Sequence, residues 1–224
     1  MSAERGARTA SDDPGAWSAS DAPGARTTSD PTQDAFLGGR VQAWQPAHGF
    51  RAGVDTVVLA AACPAQARER VLELGCGVGV AALCLRERTG AQVTGVERNL
   101  DYVALARRNG VDVVAGDVAA LPADLKIAFD HVIANPPFFG PGTAATDDGR
   151  EAALREDTPL AVWCATARAR LKPKGWFSLI HMAERLPDVL AALDGFGSIT
   201  VQPLAARLGR NAARVVVRAR RGGR

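Results

Sequence analysis

The sequence predicts an α/β fold: a doubly wound, mostly parallel seven-stranded sheet that ends in an antiparallel hairpin. Three observations carry the prediction. From residue 71 onwards, short apolar runs of strand length alternate with longer helix-forming stretches. A glycine loop, Gly75-Cys76-Gly77-Val78-Gly79, stands where the first of these strands turns into a helix. The last two strand-like runs, residues 199–201 and 214–218, follow one another with no helix between them, which suits a hairpin at the sheet edge rather than a crossover.

The elements follow in order. Gly53-Val54-Asp55 opens an Ala/Val/Leu-rich helix that stops at Ala62, before Pro64. Residues 71–74 form a short buried strand, and 80–88 the helix after the glycine loop. Residues 92–97 form the second strand. Asn99 is the N-cap of a helix ending near Asn109-Gly110, with Tyr102, Leu105 and Ala106 on one face. Residues 111–115 and 129–134 are the third and fourth strands. A helix over 159–171, a strand over 175–181, a helix over 186–193 and the two terminal strands complete the chain.

The 224 residues are 47% apolar and 23% charged, ordinary globular composition. The longest apolar run, residues 57–63, is far short of the roughly 20 needed to span a bilayer, so no membrane association is expected. The early charges are not followed by an apolar segment of the secretory kind, and the chain is expected in the cytoplasm. Cys63, Cys76, Cys84 and Cys164 match neither a zinc-ligand spacing nor a small disulfide framework, and read as free thiols. Residues 1–33 are mostly Ser, Thr, Asp, Ala, Gly and Pro, with Met1 and Trp17 as the only large apolar side chains. Gly6-Ala7-Arg8-Thr9-Ala10-Ser11-Asp12 recurs there as Gly24-Ala25-Arg26-Thr27-Thr28-Ser29-Asp30. Such a segment buries too little to offset an ordering cost of roughly 1–2 kcal/mol per residue, so it reads as a disordered tail ahead of one domain over 34–224. That tail is net acidic, and seven arginines without one acid fill 207–224, a distribution suited to an anionic partner.

The candidate site lies at successive strand ends. The glycines of the Glu73–Gly79 loop let the backbone approach a ligand closely and present amides at a helix N-terminus, although such a trio also serves as a plain tight turn. The dinucleotide fingerprint wants its third glycine at position 80, where this chain has Val80; the glycine comes one residue early, at Gly79. Glu97 falls about twenty residues past Gly77 at the end of the second strand, where a carboxylate can accept both hydroxyl hydrogens of a ribose. Asp117 follows the third strand as a further acceptor. Asn135-Pro136-Pro137-Phe138 follows the fourth. A proline turn alone explains its prolines but not the asparagine ahead of them or the aromatics behind. In a rigid turn the Asn135 side-chain carbonyl and the Pro136 backbone carbonyl can hold the two hydrogens of a planar amino group, while Phe138 offers a stacking face.

With these residues the chain from about Phe36 onwards resembles the class I S-adenosylmethionine-dependent methyltransferases of the small-domain type. It is most similar to the bacterial enzymes that methylate N6 of an adenine beside the anticodon of a valine tRNA. The resemblance implies a Rossmann-like fold and S-adenosyl-L-methionine as cofactor. It makes Glu73, Gly75, Cys76, Gly77 and Gly79 the methionine-side loop, Glu97 the ribose acid and Asp117 the adenine-side acid. Asn135, Pro136, Pro137 and Phe138 become the amino-group motif, and the segment Phe50-Arg51-Ala52-Gly53-Val54-Asp55 brings Asp55 beside the cofactor. The chain departs from the family pattern at Val54, usually Thr, and at Phe138, often Tyr. The family's Ala-Arg-His string has its nearest match in Ala153-Leu154-Arg155-Glu156.

The expected activity is in-line transfer of the sulfonium methyl to an exocyclic amino nitrogen, without a metal; the oligomeric state stays open, with a monomer favoured. An RNA partner is expected, tRNA first. A guanine of ribosomal RNA and a protein glutamine present the same planar amino group and stay open as acceptors. Two rivals of other classes are a nicotinamide dehydrogenase, against which Val80 argues, and a catalytically inactive RNA-binding module. His48, His131 and His181 read as packed histidines rather than ligands, and Trp163 as core. Arg214, Arg218, Arg220, Arg221 and Arg224 suit either phosphate contacts or protection of an edge strand.

Overall fold

A computed structural model describes residues 30–138 and 158–224. The chain begins there with a hairpin that its composition does not announce: β1 (Thr32–Phe36) pairs antiparallel with β2 (Val41–Gln45), Thr32 opposite Gln45 and Phe36 opposite Val41. The expected tail boundary at residue 33 therefore moves, because Thr32 and Gln33 are strand residues; residues 1–29 lie outside the described residues, as do Ala153–Glu156. The hairpin is docked by side chains distant in sequence. Asn109 accepts from the Trp44 N–H at 2.7 Å and donates to the Trp44 carbonyl at 3.0 Å and to the Val78 carbonyl at 2.9 Å.

Seven further strands form one sheet in the order β5-β4-β3-β6-β7-β9-β8. β3 (Arg70–Leu74) is central, with β4 (Gln92–Glu97) and β5 (Asp112–Ala115) to one side and β6 (Phe129–Ala134) and β7 (Leu171–Met182) to the other, all parallel. The chain reverses its direction of build between β3 and β6, so the carboxyl ends of these strands open the crevice where such sheets bind ligands. β8 (Phe196–Leu204) and β9 (Arg214–Arg221) form the expected antiparallel hairpin, with β9 inserted between β7 and β8. The arginine-rich β9 is thus an interior strand, and the edge-protection reading of its arginines falls. β8 is the edge, and accordingly tolerates Pro203 and an exposed middle. It is longer than the predicted 199–201 because an edge strand has one solvated side and reads as polar. β7 begins four residues earlier than predicted, with a register shift between Phe129 and His131 of its partner before regular pairing starts at Trp176.

The two faces of the sheet follow the strand period of two. Val71, Ile133, Ile180 and Val216 face α1 (Val54–Ala62), α2 (Val80–Thr89) and α3 (Leu100–Arg108). Leu72, Leu74, Val132, Phe177, Leu179 and Val217 face α4 (Leu160–Arg170) and α5 (Leu186–Ala192). The Asn99 side chain caps α3 as predicted, accepting from the Asp101 and Tyr102 N–H groups at 2.9 and 3.3 Å. All four cysteines are free and buried. Burial pushes the Cys63 and Cys84 thiols up to about 11 and that of Cys164 to about 12. No helix among the described residues is long and apolar enough to cross a membrane.

Candidate active site

The glycine loop is built around two carboxylates. Gly75, Gly77 and Gly79 have φ of +62°, +55° and +83°, left-handed conformations that side chains rarely adopt. A Cβ on Gly75 would sit 2.6 Å from the Trp163 ring, so α4 presses against the underside of the loop; Trp163 is core, as predicted, and it shapes the site as well. A Cβ on Gly77 would meet nothing within 4 Å, which leaves open space on the ligand side. Glu97 is buried, and its two oxygens accept from the Gly77 N–H at 2.9 Å and the Asn99 N–H at 2.8 Å. Glu73, also buried, accepts from the Ala82 N–H in the first turn of α2 at 3.0 Å. Burial pushes the Glu73 carboxyl up to about 8, despite that hydrogen bond and with repulsion from Glu97 adding to the rise. Burial also holds the Cys76 thiol well above its ordinary range.

Phe50, Ala52, Thr56, Glu73, Gly75, Cys76, Gly77, Val78, Tyr102 and Asn135 line a small cleft of about 30 Å³ beside this loop. Its far wall is the segment ahead of α1. Gln45, fully buried, accepts from the Ala52 N–H at 2.7 Å and donates to the Ala52 carbonyl at 3.2 Å and to Asp34 at 2.6 Å. Arg51 reaches Asp34 at 2.6 Å. The Tyr102 hydroxyl accepts from the Phe50 N–H at 3.0 Å. Phe50 and Ala52 belong to the segment expected beside the cofactor, whereas Thr56 and Tyr102 do not; Tyr102 reads in the sequence only as the apolar face of its helix, and its hydroxyl contact crosses 52 positions of sequence.

At the end of β6, the Asn135 Oδ1 is buried and has no hydrogen-bond partner among the described residues. An orphaned buried acceptor costs about 1–3 kcal/mol, and here it belongs to a residue lining the cleft. Pro136 is buried behind it and Pro137 half-buried. The Phe138 ring is also buried, edge-on to His181 with centroids 5.3 Å apart, and the Arg214 guanidinium lies over one face at 4.8 Å. That face is a platform for Arg214 rather than for an acceptor.

The structure thus joins Glu73, Gly75, Cys76, Gly77 and Asn135 in one cleft, with Glu97 directly behind Gly77. Gly79 stands apart as the N-cap of α2. Asp55 and Asp117 do not line the cleft. Asp55 is held by Arg214 at 2.8 Å, and Asp117 accepts from the Ala119 N–H at 2.7 Å in its own turn. Of the histidines, His131 pairs with Glu69 at 2.9 Å, and His48 is exposed. Among the described residues no group of three His, Cys, Asp or Glu is placed to hold a metal.

The loop amides bear on the ligand class. In dinucleotide sites, glycine-loop and helix N-terminal N–H groups receive a pyrophosphate. Here the Gly77 and Ala82 N–H groups are already taken by carboxylates, and a pyrophosphate would face both acids. The same acids suit a cationic ligand carrying a ribose.

A family model described as "Methyltransferase small domain" matches residues 51–184, more than half of the chain. A tRNA1(Val) (adenine(37)-N6)-methyltransferase of Porphyromonas gingivalis is 31% identical over 70% of this chain and 68% of its own. One of the same name from Photorhabdus laumondii is 29% identical over 46% of this chain; the chain spans 47% of that relative's length. Among solved structures, a predicted O-methyltransferase of Agrobacterium tumefaciens superimposes with a TM-score of 0.62 at 26% identity, over 76% of this chain and 83% of its own.

Proposed function

The chain belongs to the methyltransferase small-domain family, and from that premise we propose that it is an S-adenosylmethionine-dependent N-methyltransferase acting on N6 of an adenine in tRNA. The observation that carries the proposal is the orphaned Asn135 Oδ1 in the same cleft as the carboxylate-braced glycine loop. A site that keeps a buried acceptor unpaired is suited to a ligand that brings a donor, and an exocyclic amino group brings two. Adenine in tRNA is chosen over guanine or glutamine because the curated relatives are tRNA adenine-N6 methyltransferases.

Glu97 and the Gly75–Gly77 backbone would hold the nucleoside and methionine portions of the cofactor, and Glu73 lies beside them as a second acid. When bound, S-adenosylmethionine supplies an electrophilic methyl group. The protein residues position the acceptor. Asn135 Oδ1 and the Pro136 carbonyl accept the two N–H hydrogens, draw the nitrogen out of plane and aim its lone pair. The Pro136-Pro137 pair fixes the turn that sets these carbonyls. The proton leaves to solvent after transfer, since a methylated arylammonium is strongly acidic. Catalysis is then positioning and hydrogen bonding.

Steady-state kinetics on Asn135→Ala test this role. A drop in kcat of about 10²–10³ with S-adenosylmethionine affinity near wild type is expected for loss of one preorganised hydrogen-bonding group. Asn135→Asp keeps an acceptor in place and should retain more activity than the alanine variant. Wild-type rates in both would reduce Asn135–Phe138 to a turn.

A further inference from the structure

We propose that the tip of the β8–β9 hairpin is the RNA-gripping element of this protein, with Arg207 and Arg210 on phosphates and Leu208 as an apolar wedge at the unstacked target. The proposal rests on the RNA reading above and names the surface that would serve it.

Place, charge and exposure converge on this hairpin. β9 starts at the catalytic edge of the sheet: Arg214 pairs with Met182, three residues past Leu179, which is level with Ala134 at the end of β6. The root of the hairpin is fastened to the acceptor turn itself. Arg214 lies over the Phe138 ring at 4.8 Å and is held by Asp55 at 2.8 Å, while Arg185 donates to the Phe138 carbonyl at 3.2 Å. The Ala183 N–H bonds the Ala213 carbonyl at 3.1 Å. Leu204 pairs with Arg214, so Arg207, three residues from Leu204, and Arg210, four from Arg214, can project at most roughly 10–13 Å beyond the root at about 3.3 Å per residue, the reach of about two nucleotides.

The charge is one-sided. Residues 195–224 contain seven arginines and no aspartate or glutamate. Of the carboxylates near the root, Asp55 is paired with Arg214 and Asp188 with Arg185, and Glu184 is exposed in the adjoining turn. Arg220 and Arg221 spend guanidinium donors on their own chain, on the Lys174 and Leu171 carbonyls, whereas Arg207 and Arg210 stand exposed at the tip. Between them Leu208 is 105% exposed relative to a free residue, the most exposed large apolar side chain described. A lone exposed leucine is ordinary on a protein surface. One at the point of an acid-free, arginine-flanked hairpin rooted beside the cleft has a specific use. A base whose N6 must enter the cleft has to leave its stack, and an apolar side chain can fill the gap it leaves.

The test uses the full chain, an unmodified valine tRNA transcript and S-adenosylmethionine. Arg207→Ala/Arg210→Ala should weaken transcript binding about tenfold at moderate salt and flatten the slope of log K against log salt by about 1.4–1.8. Leu208→Ser should lower kcat/KM about tenfold while leaving the salt slope unchanged. Calorimetric affinity for S-adenosylmethionine and the melting temperature should hold in all variants, since the side chains are exposed. Unchanged transcript affinity and salt slope in the double variant, with wild type active, overturn the hairpin assignment alone. A wild-type protein that methylates a protein glutamine and no RNA overturns the hairpin assignment together with the reading it rests on.

Discussion

Glu97→Ala probes the carboxylate brace and the cofactor site together. In the folded chain Glu97 accepts from the Gly77 and Asn99 N–H groups at 2.9 and 2.8 Å. Hydrogen bonds to a charged acceptor contribute about 1.5–3 kcal/mol each. The Asn99 N–H lies at an exposed helix start, where water can replace the lost partner; the Gly77 N–H is half-buried and would lack one. Removing a buried acid also relieves its repulsion of Glu73. The net loss of folding stability should be about 1–3 kcal/mol, read from urea denaturation. Calorimetry well below the melting temperature should show S-adenosylmethionine bound roughly 5–150-fold more weakly, the same 1–3 kcal/mol in lost ribose hydrogen bonds. Reduced stability with unchanged affinity would leave Glu97 a brace and remove it from the cofactor site. Wild-type stability and affinity together would refute both roles.

Three further outcomes are expected. The Glu73 carboxyl is raised from 4.5 to about 8, so the folded state keeps a proton that the unfolded chain releases; stability of the free protein should be full below about pH 4.5 and decline as pH rises through 8, and Glu73→Gln should abolish this slope. A cationic ligand beside Glu73 favours the ionised form, so S-adenosylmethionine binding near pH 7 should release protons, seen as a buffer-dependent calorimetric enthalpy that vanishes in Glu73→Gln. Gly75→Ala drives a Cβ to 2.6 Å from Trp163 at a φ of +62°, and should cost about 2–4 kcal/mol in thermal denaturation; a cost below about 0.5 kcal/mol would mean that Trp163 does not pack against the loop.

How much of this was legible depends on how local each cause is. Asn99 capping α3, and the bounds of β4 and β6, come from signals within a few residues: an Asx side chain ahead of a helix, and apolar runs between turn residues. The β1–β2 hairpin was not legible. Its burial is shallow along β1, and its docking depends on Asn109, 65 positions from Trp44. Asp55 shows the same limit: an acid beside the glycine loop suits a cofactor, but Arg214, 159 positions away, takes it. Phe138 offered a stacking face by composition, and the fold gives that face to the same arginine. Glu97 stands at the end of β4 as its spacing from Gly77 suggests, yet its backbone hydrogen bonds, one of which takes the Gly77 amide, are made by residues whose approach only the fold sets.

The central claim is the identity of the methylated atom. The most direct measurement incubates the full chain with methyl-labelled S-adenosylmethionine and an unmodified valine tRNA transcript, then digests the RNA and separates its nucleosides. Label is expected in N6-methyladenosine and should be lost in Asn135→Ala. Label in N2-methylguanosine, or no label in RNA from a folded protein that binds S-adenosylmethionine, would contradict the claim.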